Sequence, residues 1–275
     1  MTDSITSTVT LNNGVKMPWL GLGVYKVEDG EEVKNAVKTA LDAGYRSIDT
    51  AAFYNNEQGV GEAICEENVP RDELFITTKV WNDDQGYEET LRAFEKSREK
   101  LGFEVIDLYL IHWPVTGKFK ETWKAMEHLY EEGKVRAIGV SNFNISHLEQ
   151  LLDDAKVVPV VNQVEYHPLL TQEELHRYCK KHNIQLEAWS PLMRGRMFGT
   201  PLLVELSKKY RKTEAQILLR WDLQNHVVTI PKSVTPSRIK ENAEIFDFKL
   251  SEEDVERLQR CNENKRFGSD PSKYK

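Results

Sequence analysis

The order of apolar and polar residues along the chain switches between two periods. Residues 7–16, with Asn12-Asn13-Gly14 in the middle, read as a β-hairpin, because Asn-Gly tolerates the positive φ angles of a tight turn. Leu20-Gly21-Leu22-Gly23-Val24 reads as a first strand. Residues 31–43 place Val33, Ala36, Val37, Ala40 and Leu41 at the helical spacing, and Gly44 follows, as a glycine that ends a helix does. From there strand-like and helix-like segments alternate. The strand-like runs are 46–49, 74–79, 106–111, 137–140, 160–165, 185–188 and 227–230, eight with the first. Helical patterns at 56–67, 87–101, 119–132, 146–153, 172–182, 202–210 and 213–225 separate them, Glu241 and Asn242 lie on a helix after the last strand, and 252–261 closes the chain. Thr171 and Ser251 precede acidic first turns, a capping-box pattern.

Several strands are nearly continuous apolar runs, as strands buried on both faces are. Eight βα units without a Pro/Gly/Ser linker predict an α/β fold, a (β/α)8 TIM barrel with an N-terminal β-hairpin and extra C-terminal helices, formed by residues 1–275 as one domain. The competing open doubly wound sheet expects GxGxxG after its first strand. Here Gly21-Leu22-Gly23 runs into Val24-Tyr25-Lys26, and the fingerprint fails.

Composition narrows the classes further. With 275 residues, 40% apolar, the chain can bury a large core. A formal net charge of -7 and the absence of a basic run interleaved with aromatics argue against nucleic acid as a partner. No apolar run approaches the roughly 20 residues that span a bilayer. The start, MTDSITSTVT, lacks the basic and apolar regions of a signal peptide. Cys65, Cys179 and Cys261 are sparse and odd in number, with no CxxC, which fits a reducing cytoplasm rather than a disulfide framework. No metal is expected: there is no HExxH, and His176, Cys179 and His182, three apart, drift around their helix.

In a barrel, polar residues at the carboxyl ends of strands are the site candidates. They are Asp49; Lys79, then Trp81; His112-Trp113-Pro114; Ser141-Asn142; Asn162-Gln163 and Glu165-Tyr166-His167; Trp189-Ser190; and Lys232-Ser233. Singly, each has an ordinary reading as a cap, a core histidine or a snorkelling lysine. Their shared address argues for a site. Tyr54, five residues after Asp49, is a candidate general acid. A phenol titrates near 10, and a nearby ammonium favours its phenolate and strengthens it as an acid. Lys79 supplies that ammonium, Asp49 holds Lys79, and His112 donates a hydrogen bond to a substrate carbonyl. No nucleophile has an adjacent base, which disfavours acyl chemistry.

The chain resembles the aldo-keto reductase family over essentially its whole length. The matching pieces are Gly21-Leu22-Gly23, Asp49-Thr50-Ala51 through Tyr54 and Glu57, Thr78-Lys79, His112-Trp113-Pro114, Gly139-Val140-Ser141-Asn142-Phe143, Asn162 through Pro168, and Ile230-Pro231-Lys232-Ser233. The compact length is similar to that of the short bacterial reductases acting on glyoxal, methylglyoxal and 2,5-diketo-gluconate. The resemblance implies a catalytic tetrad of Asp49, Tyr54, Lys79 and His112, with hydride from nicotinamide C4 and a proton from Tyr54. It implies that Ser141, Asn142 and Gln163 hold the nicotinamide carboxamide, near Gly23, and that Trp189 stacks on its face, where many members have tyrosine. The loop Ser190, Pro191, Leu192, Arg194 and Gly195 then closes on the pyrophosphate. Lys232, Ser233, Val234 and Arg238 receive the adenosine 2′-phosphate, with Glu241 and Asn242 toward the adenine. Two cations and hydroxyls in one loop suit a phosphate, so the expected cofactor is NADPH. Tyr25, Trp81, His112 and Trp113 are the expected substrate contacts. The short loop after His112 and the short polar tail after Asn262 predict an open pocket for a small polar carbonyl substrate, in a monomeric cytoplasmic enzyme that binds neither nucleic acid nor membrane. Two other classes remain at this stage: a nucleotide-binding redox sensor without turnover, and a Schiff-base aldolase using Lys79.

Overall fold

The computed structural model describes residues 4–274. Strands β1 (Thr8–Thr10) and β2 (Lys16–Pro18) pair antiparallel, with Thr10 opposite Lys16. The turn between them is wider than the expected Asn-Gly pair. Leu11 and Val15 are bonded, Gly14 N–H donates to the Leu11 carbonyl, and only Gly14 takes positive φ (86°). Asn12 and Asn13 serve tertiary contacts instead. The Asn12 amide donates to the carbonyls of Pro159 and Asn183, and that of Asn13 to the carbonyl of Arg136. The hairpin is thereby tied to the segments that enter three of the barrel strands.

Eight parallel strands follow: β3 (Leu22–Gly23), β4 (Ser47–Asp49), β5 (Phe75–Val80), β6 (Ile106–Ile111), β7 (Val135–Ser141), β8 (Val161–Glu165), β9 (Gln185–Trp189) and β10 (Val228–Thr229). They pair in chain order. A parallel bridge between Leu20 and Thr229, with Gly21 N–H bonded to the Thr229 carbonyl, closes the ring. The result is the (β/α)8 barrel that the alternation predicts, with β5 and β6 buried along their whole length.

Around it run α1 (Glu31–Asp42), α2 (Glu57–Glu66), α3 (Tyr87–Leu101), α4 (Phe119–Glu131), α5 (Ile145–Leu152), α6 (Glu173–Lys181), α7 (Pro201–Tyr210), α8 (Glu214–Gln224), α9 (Pro236–Ala243) and α10 (Glu252–Gln259). Gly61 lets α2 lie directly on the end of α3: a Cβ there would run into the backbone of Leu101. Of the two expected caps, Ser251 accepts from Asp254 N–H. Thr171 does not cap. Gln172, at φ 46°, precedes α6 without a side-chain cap bond, and the Thr171 hydroxyl is buried without a partner. The chain from Leu169 onward is held by the C-terminal tail instead, with Glu263 and Lys265 N–H both donating to the Leu169 carbonyl.

Candidate active site

The strands deliver their polar residues to one mouth of the barrel. Asp49 ends β4, and the chain turns at once through a short helical turn, Ala52–Tyr54, that brings the phenol back over the strand ends. Lys79 sits one residue before the end of β5, fully buried. Its ammonium has three hydrogens and three partners: Asp49 Oδ1 at 2.7 Å, the Thr50 carbonyl at 2.8 Å and Tyr54 Oη at 3.4 Å. Burial works against a charged lysine, but Asp49 and the phenol outweigh it, and the Lys79 pKa is raised. A permanently charged, fully bonded amine is a poor nucleophile, so the Schiff-base reading finds no support in this geometry.

Tyr54 differs from the sequence expectation in its balance. Burial pushes its phenol up to about 12, and Lys79 only partly offsets that while Asp49 adds to it. The ring is half-buried and faces the cleft, so the burial effect operates fully when a ligand excludes water. Lys79 thus limits the rise rather than producing a net fall. His112 stands edge-on to the Tyr54 ring at 5.6 Å between centroids, and also to Trp81 at 5.1 Å. Burial, then the Lys79 charge, hold its pKa well below the ordinary value. The imidazole is neutral at neutral pH and able to donate one hydrogen bond.

On the next strands, β7 ends at Ser141 and passes into Asn142 at φ 63°, a left-handed conformation that asparagine tolerates. The Asn142 amide donates to the His112 carbonyl and to Ser141 Oγ, and its oxygen accepts from Trp189 Nε1 at 2.8 Å. Ser141 Oγ donates to the backbone carbonyl of Gln163. These two residues, expected to bind a carboxamide, spend their donors on Ser141 Oγ and on the backbone carbonyls of His112 and Gln163, so what they have left is acceptor capacity. Gln163 Nε2 donates to Asp49 Oδ2 at 2.8 Å and to Glu187 Oε2 at 2.9 Å. Glu187, on β9, is a site residue that the sequence reading missed. It sits inside an apolar-looking strand, and no strand-end position flags it.

A continuous cleft of about 1200 Å³ runs across this mouth. Every residue expected to act in catalysis or to hold cofactor or substrate lines it except Lys79, which lies beneath the floor; of the other strand-end candidates, Pro114, Asn162, Glu165, Tyr166 and His167 do not line it. Gly23 lines the cleft at the point where the barrel closes. A Cβ there would sit 3.0 Å from the Ile230 carbonyl oxygen, so glycine is required by strand packing. Ser190, Pro191, Leu192, Arg194 and Gly195 form one wall, with Ser190 and Arg194 at φ 55° and 54°. Arg196 turns away, its guanidinium 4.5 Å above the Phe267 ring. Lys232, Ser233, Val234 and Arg238 also line it, with Glu241 and Asn242 on α9. Glu241 is fixed by the Thr213 hydroxyl at 2.9 Å. Tyr25, Trp81 and Trp113 are joined by Phe53, which stacks on Trp81 at 3.7 Å.

The C-terminal tail, expected only as a short polar end, contributes to the cleft. Phe267, Gly268, Ser269 and Tyr274 line the cleft. Glu165, buried at the end of β8, accepts from Phe267 N–H at 2.8 Å, Gly268 N–H at 3.0 Å and His167 Nε2 at 3.0 Å. Gly268 lies so close on Trp189 that a Cβ would collide with the indole. Tyr274 stacks on Trp113 at 4.2 Å. The two aromatics in an otherwise polar tail were the available signal.

A barrel whose strand ends assemble a lysine-carboxylate pair, a phenol and a neutral imidazole beside a long cleft defines an oxidoreductase site of the carbonyl-reducing kind. Residues 19–263 match the aldo/keto reductase family, and the chain belongs to that family. It is 59% identical to glyoxal reductase of Bacillus subtilis (strain 168), covering 98% of each chain. It is 47% identical to methylglyoxal reductase DkgA of Escherichia coli (strain K12), again covering 98% of each. Among solved structures, a Gox0644 variant in complex with NADPH superposes with a TM-score of 0.93, at 44% identity, covering 98% of both chains.

Proposed function

We propose that the cleft binds NADPH and that the protein reduces small polar carbonyl compounds, glyoxal-like dicarbonyls and diketo sugars, to alcohols. The observation that carries this reading is the Asp49–Lys79–Tyr54 chain of contacts with His112 beside it, at a cleft of about 1200 Å³. The residues present fit the cofactor. Lys232 and Arg238 put two cations on the wall of the same cleft, suited to a 2′-phosphate. Trp189, oriented by Asn142, adds an aromatic ring to the cleft lining. Acceptor lone pairs on Ser141, Asn142 and Gln163 suit a carboxamide N–H.

Bound NADPH supplies the hydride that the carbonyl carbon receives. The chain's own groups do the rest. His112 donates a hydrogen bond to the carbonyl oxygen and sets its direction. Tyr54 gives its phenolic proton to that oxygen as negative charge develops there. Lys79 stabilises the phenolate left behind, and Asp49 keeps Lys79 charged and in place. Tyr274 stacked on Trp113 and Gly268 packed against Trp189 place the tail along the cleft, where it would hinder the approach of water to the reacting groups. The nearness of the glyoxal and methylglyoxal reductases supports small dicarbonyl substrates.

The test is NADPH oxidation over a panel of methylglyoxal, glyoxal, a 2,5-diketo sugar acid and aromatic aldehydes. Turnover highest with the small polar members is expected. Cofactor binding without oxidation across the panel contradicts the reading and leaves a nucleotide-binding sensor.

A further inference from the structure

Glu187 is fully buried inside the barrel, beside Gln163 in the β8–β9 register. A carboxyl group there is costly unless it is bonded. One oxygen, Oε2, accepts from Gln163 Nε2 at 2.9 Å, while the other, Oε1, is buried without a partner. The same Gln163 nitrogen donates its other hydrogen to Asp49 Oδ2 at 2.8 Å. A primary amide has two N–H donors and no more, so Gln163 has committed its nitrogen end completely. Turning the amide over would set its oxygen against the Asp49 carboxylate, acceptor facing acceptor. Gln163 lines the cleft, and its side-chain carbonyl is therefore the end left for a ligand.

We propose that Glu187 is a positioning residue for carbonyl reduction: with Asp49 it clamps both amide hydrogens of Gln163 and so fixes the Gln163 carbonyl oxygen toward the nicotinamide carboxamide. This rests on the NADPH reading of the cleft given above.

An un-ionised Glu187 holds the clamp without adding a second buried negative charge beside Asp49. The charged groups facing it are Asp49 on β4 and Lys79 on β5, and Lys79 already balances Asp49. A second negative charge would have no counter-ion and one dry oxygen. Burial first, and the Asp49 charge next, push the Glu187 carboxyl up to about 8, against the smaller opposing effects of Gln163 and Lys79. Ionisation above neutrality would draw the Lys79 ammonium away from Asp49 and Tyr54 and add negative charge next to a phenol that must reach its phenolate. Glu187 touches neither the cofactor nor the carbonyl; it acts through Gln163.

The experiment compares the full-length protein with Glu187→Leu and Glu187→Gln. Three quantities are read: affinity for 2′,5′-ADP, KM for NADPH against kcat with methylglyoxal, and the pH profile of kcat/KM for NADPH. The leucine variant is expected to raise KM for NADPH by about tenfold or more, the cost of freeing one buried amide hydrogen, with 2′,5′-ADP affinity unchanged. The glutamine variant keeps a neutral acceptor. It should match the wild type near neutral pH and lack the wild type's inflection on the alkaline side. An unchanged KM for NADPH in the leucine variant overturns the proposal, as do superimposable pH profiles for wild type and Glu187→Gln, which decide the matter even if the leucine variant fails to fold. Failure of the wild type to bind 2′,5′-ADP contradicts the NADPH reading itself and is distinguishable from both.

Discussion

Lys79 and Asp49 form an ion pair of 2.7 Å in which the side chains are 0% and 3% exposed. Breaking a buried pair from one side leaves the other charge without compensation, typically at about 3–5 kcal/mol. Lys79→Met and Asp49→Asn should each lower unfolding free energy by roughly that amount and abolish measurable reduction. The double variant should recover most of the stability and none of the activity. Urea denaturation with parallel NADPH oxidation checks this; a stable single Lys79→Met variant would show that the pair is not structurally sealed.

His112 enters as a neutral donor, because burial and Lys79 keep its pKa well below the ordinary 6.5. The unfolded chain takes up a proton as pH falls through about 6.5, while the folded imidazole refuses one. Stability from this residue is therefore full above that pH and is lost progressively below it. Turnover, in contrast, should be flat across pH 6.5, since the folded imidazole does not titrate there. An acid limb centred near that value, absent in His112→Gln, would contradict the neutral assignment.

The Lys232–Arg238 part of the cleft discriminates between dinucleotides if it receives a 2′-phosphate. Arg238→Ala should raise the Kd for NADPH by roughly 10–100-fold, the loss of one or two charge-assisted bonds, and change NADH binding little. Fluorescence titration with both nucleotides measures this. Equal losses would place the phosphate elsewhere.

The barrel was legible in the sequence because its signal is repeated: eight βα periods reinforce one another even where a boundary shifts. The grouping of Asp49, Lys79 and His112, with Tyr54 on the loop after β4, was legible because strand ends are a small set of positions. Three features were not. Glu187 sits in mid-strand, where only the closed ring shows that its side chain meets Gln163 and Asp49. The Tyr54 balance depends on how much water reaches the ring, which spacing does not encode. Phe267 and Tyr274 reach the cleft through Glu165 and Trp113, contacts more than a hundred residues apart in the chain.

Glu165 is the anchor of that tail. Burial raises its pKa, but His167 and the two backbone amides outweigh this and hold it below the ordinary carboxylate range. The anchor is complete above about pH 4.5 and weakens as pH falls below it. Glu165→Leu should release the tail. Trypsin would then cleave after Arg266 several-fold faster, and KM for substrate would rise more than kcat falls. Unaltered proteolysis would show that other contacts hold the tail.

The proton from Tyr54 is the centre of the account, and Tyr54→Phe removes only its oxygen. NADPH binding by fluorescence titration and methylglyoxal reduction should be measured on the same preparation. The account predicts NADPH affinity within about twofold of wild type, since no charge at the cofactor end changes, and a loss of kcat of at least about a hundredfold, the lower range of general acid catalysis. Retained turnover with intact binding would contradict it.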